Sequence, residues 1–203
     1  MKELTYDNLK DNDDPDITPG LHEPLVIDDA IDQMAFVEIK RWIVEGDFPW
    51  FLQKDVVGET EYSDEGQPTE EVLCDQYDNI QFQHSFYSDK NFHTEACNPM
   101  WAPILARLRS KALVRIKANL TLRTKSVVKH GWHRDASPPE HYPGLRTAVY
   151  YLNTCDGFTE LKETGQKIYS KENRLAVFPN HMFHTGTTTT NDFGRYVVNF
   201  NTY

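Results

Sequence analysis

Cysteine is scarce in this 203-residue chain: Cys74, Cys97 and Cys155 are its only three, and they stand far apart. An odd, scattered set excludes a disulfide framework or a zinc ribbon and reads as free thiols. Long apolar runs are missing too. No stretch approaches the roughly eighteen residues of a membrane span. The first residues, MKELTYDNLKDNDDPD, are acidic and polar, unlike a secretory or transit leader. The expectation is a cytoplasmic location and no membrane partner. Basic residues are outnumbered, 21 Lys and Arg against 31 Asp and Glu, for a net charge of -10. That balance argues against broad nucleic-acid binding, because phosphates are repelled at long range. The exception is local: Arg107 to Lys129 holds eight Lys or Arg and no acid, a positive region able to receive a small anion. There is no internal repeat and no Gly-rich phosphate loop.

With 39% hydrophobic and 26% charged residues, the chain is predicted to fold as one globular domain over 1–203. Residues 1–27, with DNDDPDITPG, read as an irregular acidic lead-in. Residues 28–110 read as helices, an acidic loop and the first strands. A helix is predicted over DDAIDQMAFVEIKRWIVEG, capped by Asp28 or Asp29, with Ile31, Ala35, Ile39, Trp42 and Ile43 on one face and Gly46 at its end. GETEYSDEGQPTEE, 58–71, reads as a surface loop. NIQFQHSFY alternates as a strand, with His84 a core histidine, and NPMWAPILARLRSKA reads as a short helix.

From residue 111 onward the pattern changes to strands. VRIKANLTLRTK alternates cleanly, with Val114, Ile116, Ala118, Leu120 and Leu122 on one side and Arg115, Lys117, Asn119, Thr121 and Arg123 on the other. LRTAVYYLN, GQKIYS, RLAVFP and RYVVNFNTY come next, separated by turns and by no long helix. The predicted class is mainly β with N-terminal helices (α+β), an antiparallel sandwich or barrel.

Five of the eight histidines fall in this strand-rich part, four of them in KHGWHRD and PNHMFHTG. On an extended segment His133 and Asp135 face one side and can aim an imidazole and a carboxylate at one point. One further histidine from another strand would complete two histidines and a carboxylate, the facial set that holds iron(II) with open positions. An H-x-D triplet alone is weak evidence; the order of the segments around it carries more. HRD, YYLN, GFTEL, LAVFPNHMFHTG and RYVVNF occur in that sequence over roughly 113–203.

This order resembles the 2-oxoglutarate- and iron(II)-dependent oxygenases, particularly their prolyl-4-hydroxylase-like branch and its short phage-encoded members. The resemblance implies a double-stranded β-helix, a cupin-like jelly roll whose core spans 111–203. It implies iron(II) held by His133, Asp135 and His184, with His184 preferred to His181 by its interval from Arg195. Arg195 would pair with the distal carboxylate of 2-oxoglutarate, helped by the hydroxyl of Tyr151. Asn119 is the first choice for a further cosubstrate contact, with Thr121 and Arg123 behind it; a solvated strand face is the equal alternative. Two departures stand out. Val197 occupies a position often serine or threonine, with Asn199 as its replacement, and GFTEL has one glycine where two are common. His130 and His141 are expected at the surface, with substrate contact as the alternative. The implied activity is hydroxylation of a C–H bond by dioxygen, with release of succinate and CO2. The substrate would be a peptide, including a prolyl one, or a small molecule. The competing expectation is a non-catalytic, cupin-like metal- or ligand-binding jelly roll, for which Arg195 would have no use. Halogenation is opposed by Asp135, whose position a halide would need.

Overall fold

The computed structural model describes residues 23–54, 56, 80–93 and 97–203. The acidic loop at 58–71, most of the lead-in and Cys74 lie outside them. Strands β1 (Leu25–Ile27), β2 (Phe51–Gln53), β3 (Gln81–Ser88), β4 (Asn91–Phe92), β5 (Leu113–Leu122), β6 (Arg146–Tyr151), β7 (Phe158–Leu161), β8 (Lys167–Tyr169), β9 (Arg174–Pro179), β10 (His184–Gly186) and β11 (Gly194–Thr202) alternate with helices α1 (Gln33–Lys40) and α2 (Cys97–Arg107). A large antiparallel sheet runs β1-β9-β6-β11-β5-β3-β2, with β4 on β3, and faces a small one ordered β10-β7-β8. This is a mainly β jelly roll with helices ahead of it, as the strand pattern predicts.

The alternation of β5 decides what lies on each side of the large sheet. Ile116, Ala118 and Leu120 join Ala148, Tyr150, Leu175, Val177, Val198 and Phe200 in a core beneath the helices. Helix α1 contributes Phe36 and Ile39, and α2 with its C-terminal extension contributes Trp101, Ile104 and Leu108. Trp101 meets Phe200 edge-on at 5.4 Å and Phe86 at 5.0 Å, geometry that aromatic pairs prefer. His84 is a core histidine, 7% exposed, with Nδ1 2.9 Å from the Pro49 carbonyl oxygen. The opposite face of the large sheet, turned toward the small one, carries the polar residues of β5.

The N-terminal part differs from expectation in two respects. Asp32, rather than Asp28 or Asp29, caps α1, accepting from Met34 N at 2.9 Å and Ala35 N at 3.4 Å, and a π-helical turn over Arg41–Glu45 continues it. Asp28 instead binds Arg174 at 2.6 and 3.0 Å and Lys171 at 2.8 Å. The second difference is that the lead-in is not irregular to residue 27. Leu25–Ile27 form β1, an edge strand paired with β9. Asn173, at φ 57°, helps hold this junction. It accepts from Tyr150 Oη at 2.9 Å and donates to the Ile31 carbonyl at 2.9 Å.

Candidate metal and cosubstrate site

The chain at 129–133 runs antiparallel to 184–187, as an extra strand beside β10. His133 and His184 are directly opposed, each backbone N–H donating to the other's carbonyl at 3.0 and 2.9 Å. Opposed residues project side by side, which explains why the imidazole centroids lie 4.3 Å apart although the two residues are 51 positions apart in sequence. Asp135, two residues beyond His133, returns to the same side. The potential ligand atoms of His133, Asp135 and His184 lie within 4.8 Å of one another, and His184 is only 3% exposed. His181, by contrast, is exposed, and Arg134 turns away from the cluster to donate to the His181 carbonyl at 2.7 Å.

The chemistry of this donor set fits a first-row divalent metal. Nε2 of His184 is buried with no hydrogen-bond partner among the described residues, 3.9 Å from Asp135 Oδ1. Burial lowers its pKa and the Asp135 charge works the other way, the net direction being down, so its lone pair is available for coordination. His133 Nδ1 lies 3.2 Å from the Gly131 carbonyl oxygen; donation there leaves Nε2 as the acceptor, the arrangement that metal-binding histidines use.

Asp135 is held from behind. Arg115 donates to its Oδ1 at 2.7 Å and Asn201 Nδ2 to its Oδ2 at 2.9 Å, while Arg115 Nε also donates to Asn201 Oδ1 at 2.9 Å. This closed ring of contacts fixes the carboxylate plane. Burial alone would raise the Asp135 pKa, but the Arg115 charge and the neighbouring imidazoles outweigh it and hold the carboxyl well below its ordinary range.

A cavity of about 300 Å³ opens beside the cluster, lined by Asn119, Thr121, His130, Arg195, Val197 and Asn199 among others. Arg195 is 4% exposed, with Nε donating to Ser170 Oγ at 2.8 Å and Nη2 to Thr159 Oγ1 at 2.7 Å. No carboxylate among the described residues pairs with it. A buried guanidinium supported only by neutral hydroxyls is short of an anion, and a cosubstrate carboxylate would supply one. Gly157 makes room for this side chain: a Cβ there would meet Arg195 Cδ at 2.7 Å and the Thr188 carbonyl oxygen at 2.6 Å.

The other expected residues fall at varied distances from the cavity. Asn119 lines it, 8% exposed, its Oδ1 without a partner among the described residues. Tyr151 lies below Arg195, whose guanidinium carbon is 5.4 Å from the ring centroid, and its hydroxyl donates to Thr159 Oγ1 at 2.9 Å. Thr121 also lines the cavity, while Arg123 is outside its wall and exposed. His141 is exposed, as expected. His130 departs from expectation: it is not a surface residue but 1% exposed in the cavity wall. Burial, reinforced by the charges of Arg195 and His133, brings its pKa down to about 4, so it is neutral at neutral pH. Sequence reasoning alone does not single out Arg115, Asn201, Thr159 or Ser170. Only Arg115 leaves a signal there, as part of the polar face of β5.

No protein-family model and no curated protein matches the sequence. Solved structures do match in fold. The viral collagen prolyl hydroxylase of Paramecium bursaria Chlorella virus-1 superposes with a TM-score of 0.52 at 13% identity, over 88% of this chain and 94% of that one. A 2OG-Fe(II) oxygenase-family oxidoreductase of Burkholderia pseudomallei gives 0.56 at 13% identity, over 88% and 84%. SnoK, a non-heme alpha-ketoglutarate-dependent carbocyclase from nogalamycin biosynthesis, gives 0.56 at 11%, over 89% and 79%. The fold is therefore that of the 2-oxoglutarate oxygenases, a double-stranded β-helix.

Proposed function

We propose that this protein is an iron(II)- and 2-oxoglutarate-dependent dioxygenase that hydroxylates a C–H bond of a peptidyl, including prolyl, or small-molecule substrate. One observation carries the reading: two imidazoles and a carboxylate converge at a cavity whose wall also holds Arg195, a buried cation with no acid partner among the described residues. Neither half would be informative alone. The fold it shares with a viral collagen prolyl hydroxylase supports a peptidyl substrate, and the fold it shares with SnoK supports a small molecule.

Each residue's part is set by its surroundings. His133, Asp135 and His184 would hold the iron. Arg115 and Asn201 orient the Asp135 carboxylate so that it need not reorganise when metal enters. Arg195 would bind the distal carboxylate of 2-oxoglutarate, Thr159 and Ser170 holding the guanidinium fork in place. Asn119 borders this pocket with its amide, and Tyr151, behind the wall, acts through Thr159. Val149 and Val197 line the same cavity with apolar surface, limiting water around the reacting atoms. When bound, the metal and cosubstrate supply dioxygen chemistry: one oxygen atom enters the substrate C–H bond, the other enters succinate, and CO2 leaves.

The test is succinate release by the iron-loaded protein against peptide, amino-acid and nucleotide pools, with mass analysis for a gain of one oxygen. Coupled succinate and oxygen gain are expected. Metal binding with no 2-oxoglutarate consumption under any condition would instead identify a cupin-like binding module.

A further inference from the structure

The cavity-facing side of the large sheet is divided. Over β6 and β9 it is apolar, and Val149, Ala176 and Phe178 pack against Leu161 and Ile168 of the small sheet. Over β5, β3 and β2 it is polar, and Arg115, Lys117, Asn119, Gln81 and Gln53 line the cavity. Among the described residues the wall includes no Phe, Tyr or Trp and no acid besides Asp135. That lining offers little to a neutral proline ring.

Charge and hydrogen bonding indicate what the polar half would accept. Iron(II), Asp135 and the 2-oxoglutarate dianion together carry one negative charge, which Arg195 balances. Arg115, its side chain 27% exposed, then leaves one positive charge over, even with that of Lys117 set aside. A partly buried surplus of this kind is costly until an anion balances it. The buried Oδ1 atoms of Asn119 and Asn199 need the opposite kind of partner. Each residue is 8% exposed, and neither oxygen has a hydrogen-bond donor among the described residues. The 2-oxoglutarate dianion has no N–H or O–H to give them. The two needs occur side by side: Asn199 is directly opposite Lys117, and Asn201 opposite Arg115, across the β5–β11 ladder.

Resting on the oxygenase reading above, we propose that the substrate is a free amino acid or a close analogue. Its carboxylate is received by Arg115 and Lys117, and its ammonium by the side-chain oxygens of Asn119 and Asn199. The same cavity of about 300 Å³, at the low end for small-molecule sites, must also hold the metal and 2-oxoglutarate, and the space left suits a small zwitterion better than an enclosed peptide.

The experiment presents the iron-loaded full chain, with 2-oxoglutarate, with the twenty common L-amino acids. Each is supplied as the free acid, the methyl ester and the N-acetyl derivative, alongside proline-containing peptides. At least one free amino acid should raise succinate release at least tenfold above background and gain one oxygen. Its ester and its N-acetyl form should each lose at least thirtyfold in kcat/KM. Lys117→Met should raise KM for the free acid at least tenfold and narrow the gap between acid and ester. Calorimetry on the zinc-loaded, turnover-incompetent protein with 2-oxoglutarate should show the same preference in Kd. Substrate-independent 2-oxoglutarate turnover with indifference to every amino acid would overturn the zwitterion proposal alone. Peptides preferred over free acids, or esters as good as acids, would do the same. No 2-oxoglutarate turnover or binding at all would overturn the oxygenase reading and this proposal with it.

Discussion

Gly157→Ala separates cosubstrate binding from metal binding. The added methyl carbon would sit 2.6 Å from the Thr188 carbonyl oxygen and 2.7 Å from Arg195 Cδ, both far inside van der Waals contact. The Thr188 obstacle is backbone, so the strand connection must yield or Arg195 must move. Overpacking of this order costs about 1–3 kcal/mol. In a chain of this size that is roughly 2–12 °C in Tm, at about 2–4 °C per kcal/mol. Moving Arg195 also strains its bonds of 2.8 Å to Ser170 and 2.7 Å to Thr159. Losing one such charged hydrogen bond is worth about 1.5–3 kcal/mol, so the 2-oxoglutarate Kd should rise about 10- to 150-fold, at 1.4 kcal/mol per factor of ten. The candidate metal ligands stand on other segments, and cobalt(II) affinity should change less than about threefold. Calorimetric titrations of each ligand, with a thermal melt, make the comparison. A variant with unchanged Tm and unchanged 2-oxoglutarate affinity would refute the claim that this glycine is needed by Arg195.

Two further outcomes concern the frame around the site. Arg146 is 2% exposed at the start of β6, and none of its side-chain nitrogens has a hydrogen-bond partner among the described residues; Arg146→Met should leave urea stability unchanged or increase it by about 1–2 kcal/mol, and a clear loss of stability would show an unrecognised partner. Asp28 is held at a pKa of about 2, chiefly by its hydrogen bond to Arg174, against an ordinary 3.8. A depressed carboxyl pKa gives stability that is present above the ordinary value and lost as pH falls through the depressed one. With Asp28 part-exposed, Asp28→Asn should cost only about 0.5–1 kcal/mol at pH 7, and the gap from wild type should close between about pH 4 and 2. A gap that persists at the acid end would contradict the ion-pair account.

How much of the fold the sequence discloses depends on the length scale of each signal. The strict alternation of Leu113–Leu122 exposes β5 and both its faces, and the β-branched and aromatic residues within Gly194–Thr202 make β11 equally plain. Of the four three-residue strands, β8 is legible between its turns, while β1, β2 and β10 span barely more than one alternation and leave no period to read. Local composition offers Asp28 and Asp29 as caps of α1 as readily as Asp32; it cannot tell which of them meets the free N–H groups. His133 and Asp135 are legible because their spacing is local. The pairing of His133 with His184 is a product of strand register between distant segments, reached in the sequence only through family resemblance. The Arg115–Asp135–Asn201 ring and the burial of His130 depend on separate segments meeting, and nothing adjacent in the chain announces them.

The central claim is that one cavity binds iron(II) and 2-oxoglutarate together. Anaerobic titration of the protein with both is its most direct test. The account predicts a weak visible metal-to-ligand band that saturates at one equivalent of each, disappears in His133→Ala and His184→Ala, and requires far more 2-oxoglutarate in Arg195→Met. Folded wild-type protein that shows no band, or a band unaffected by these substitutions, would contradict it.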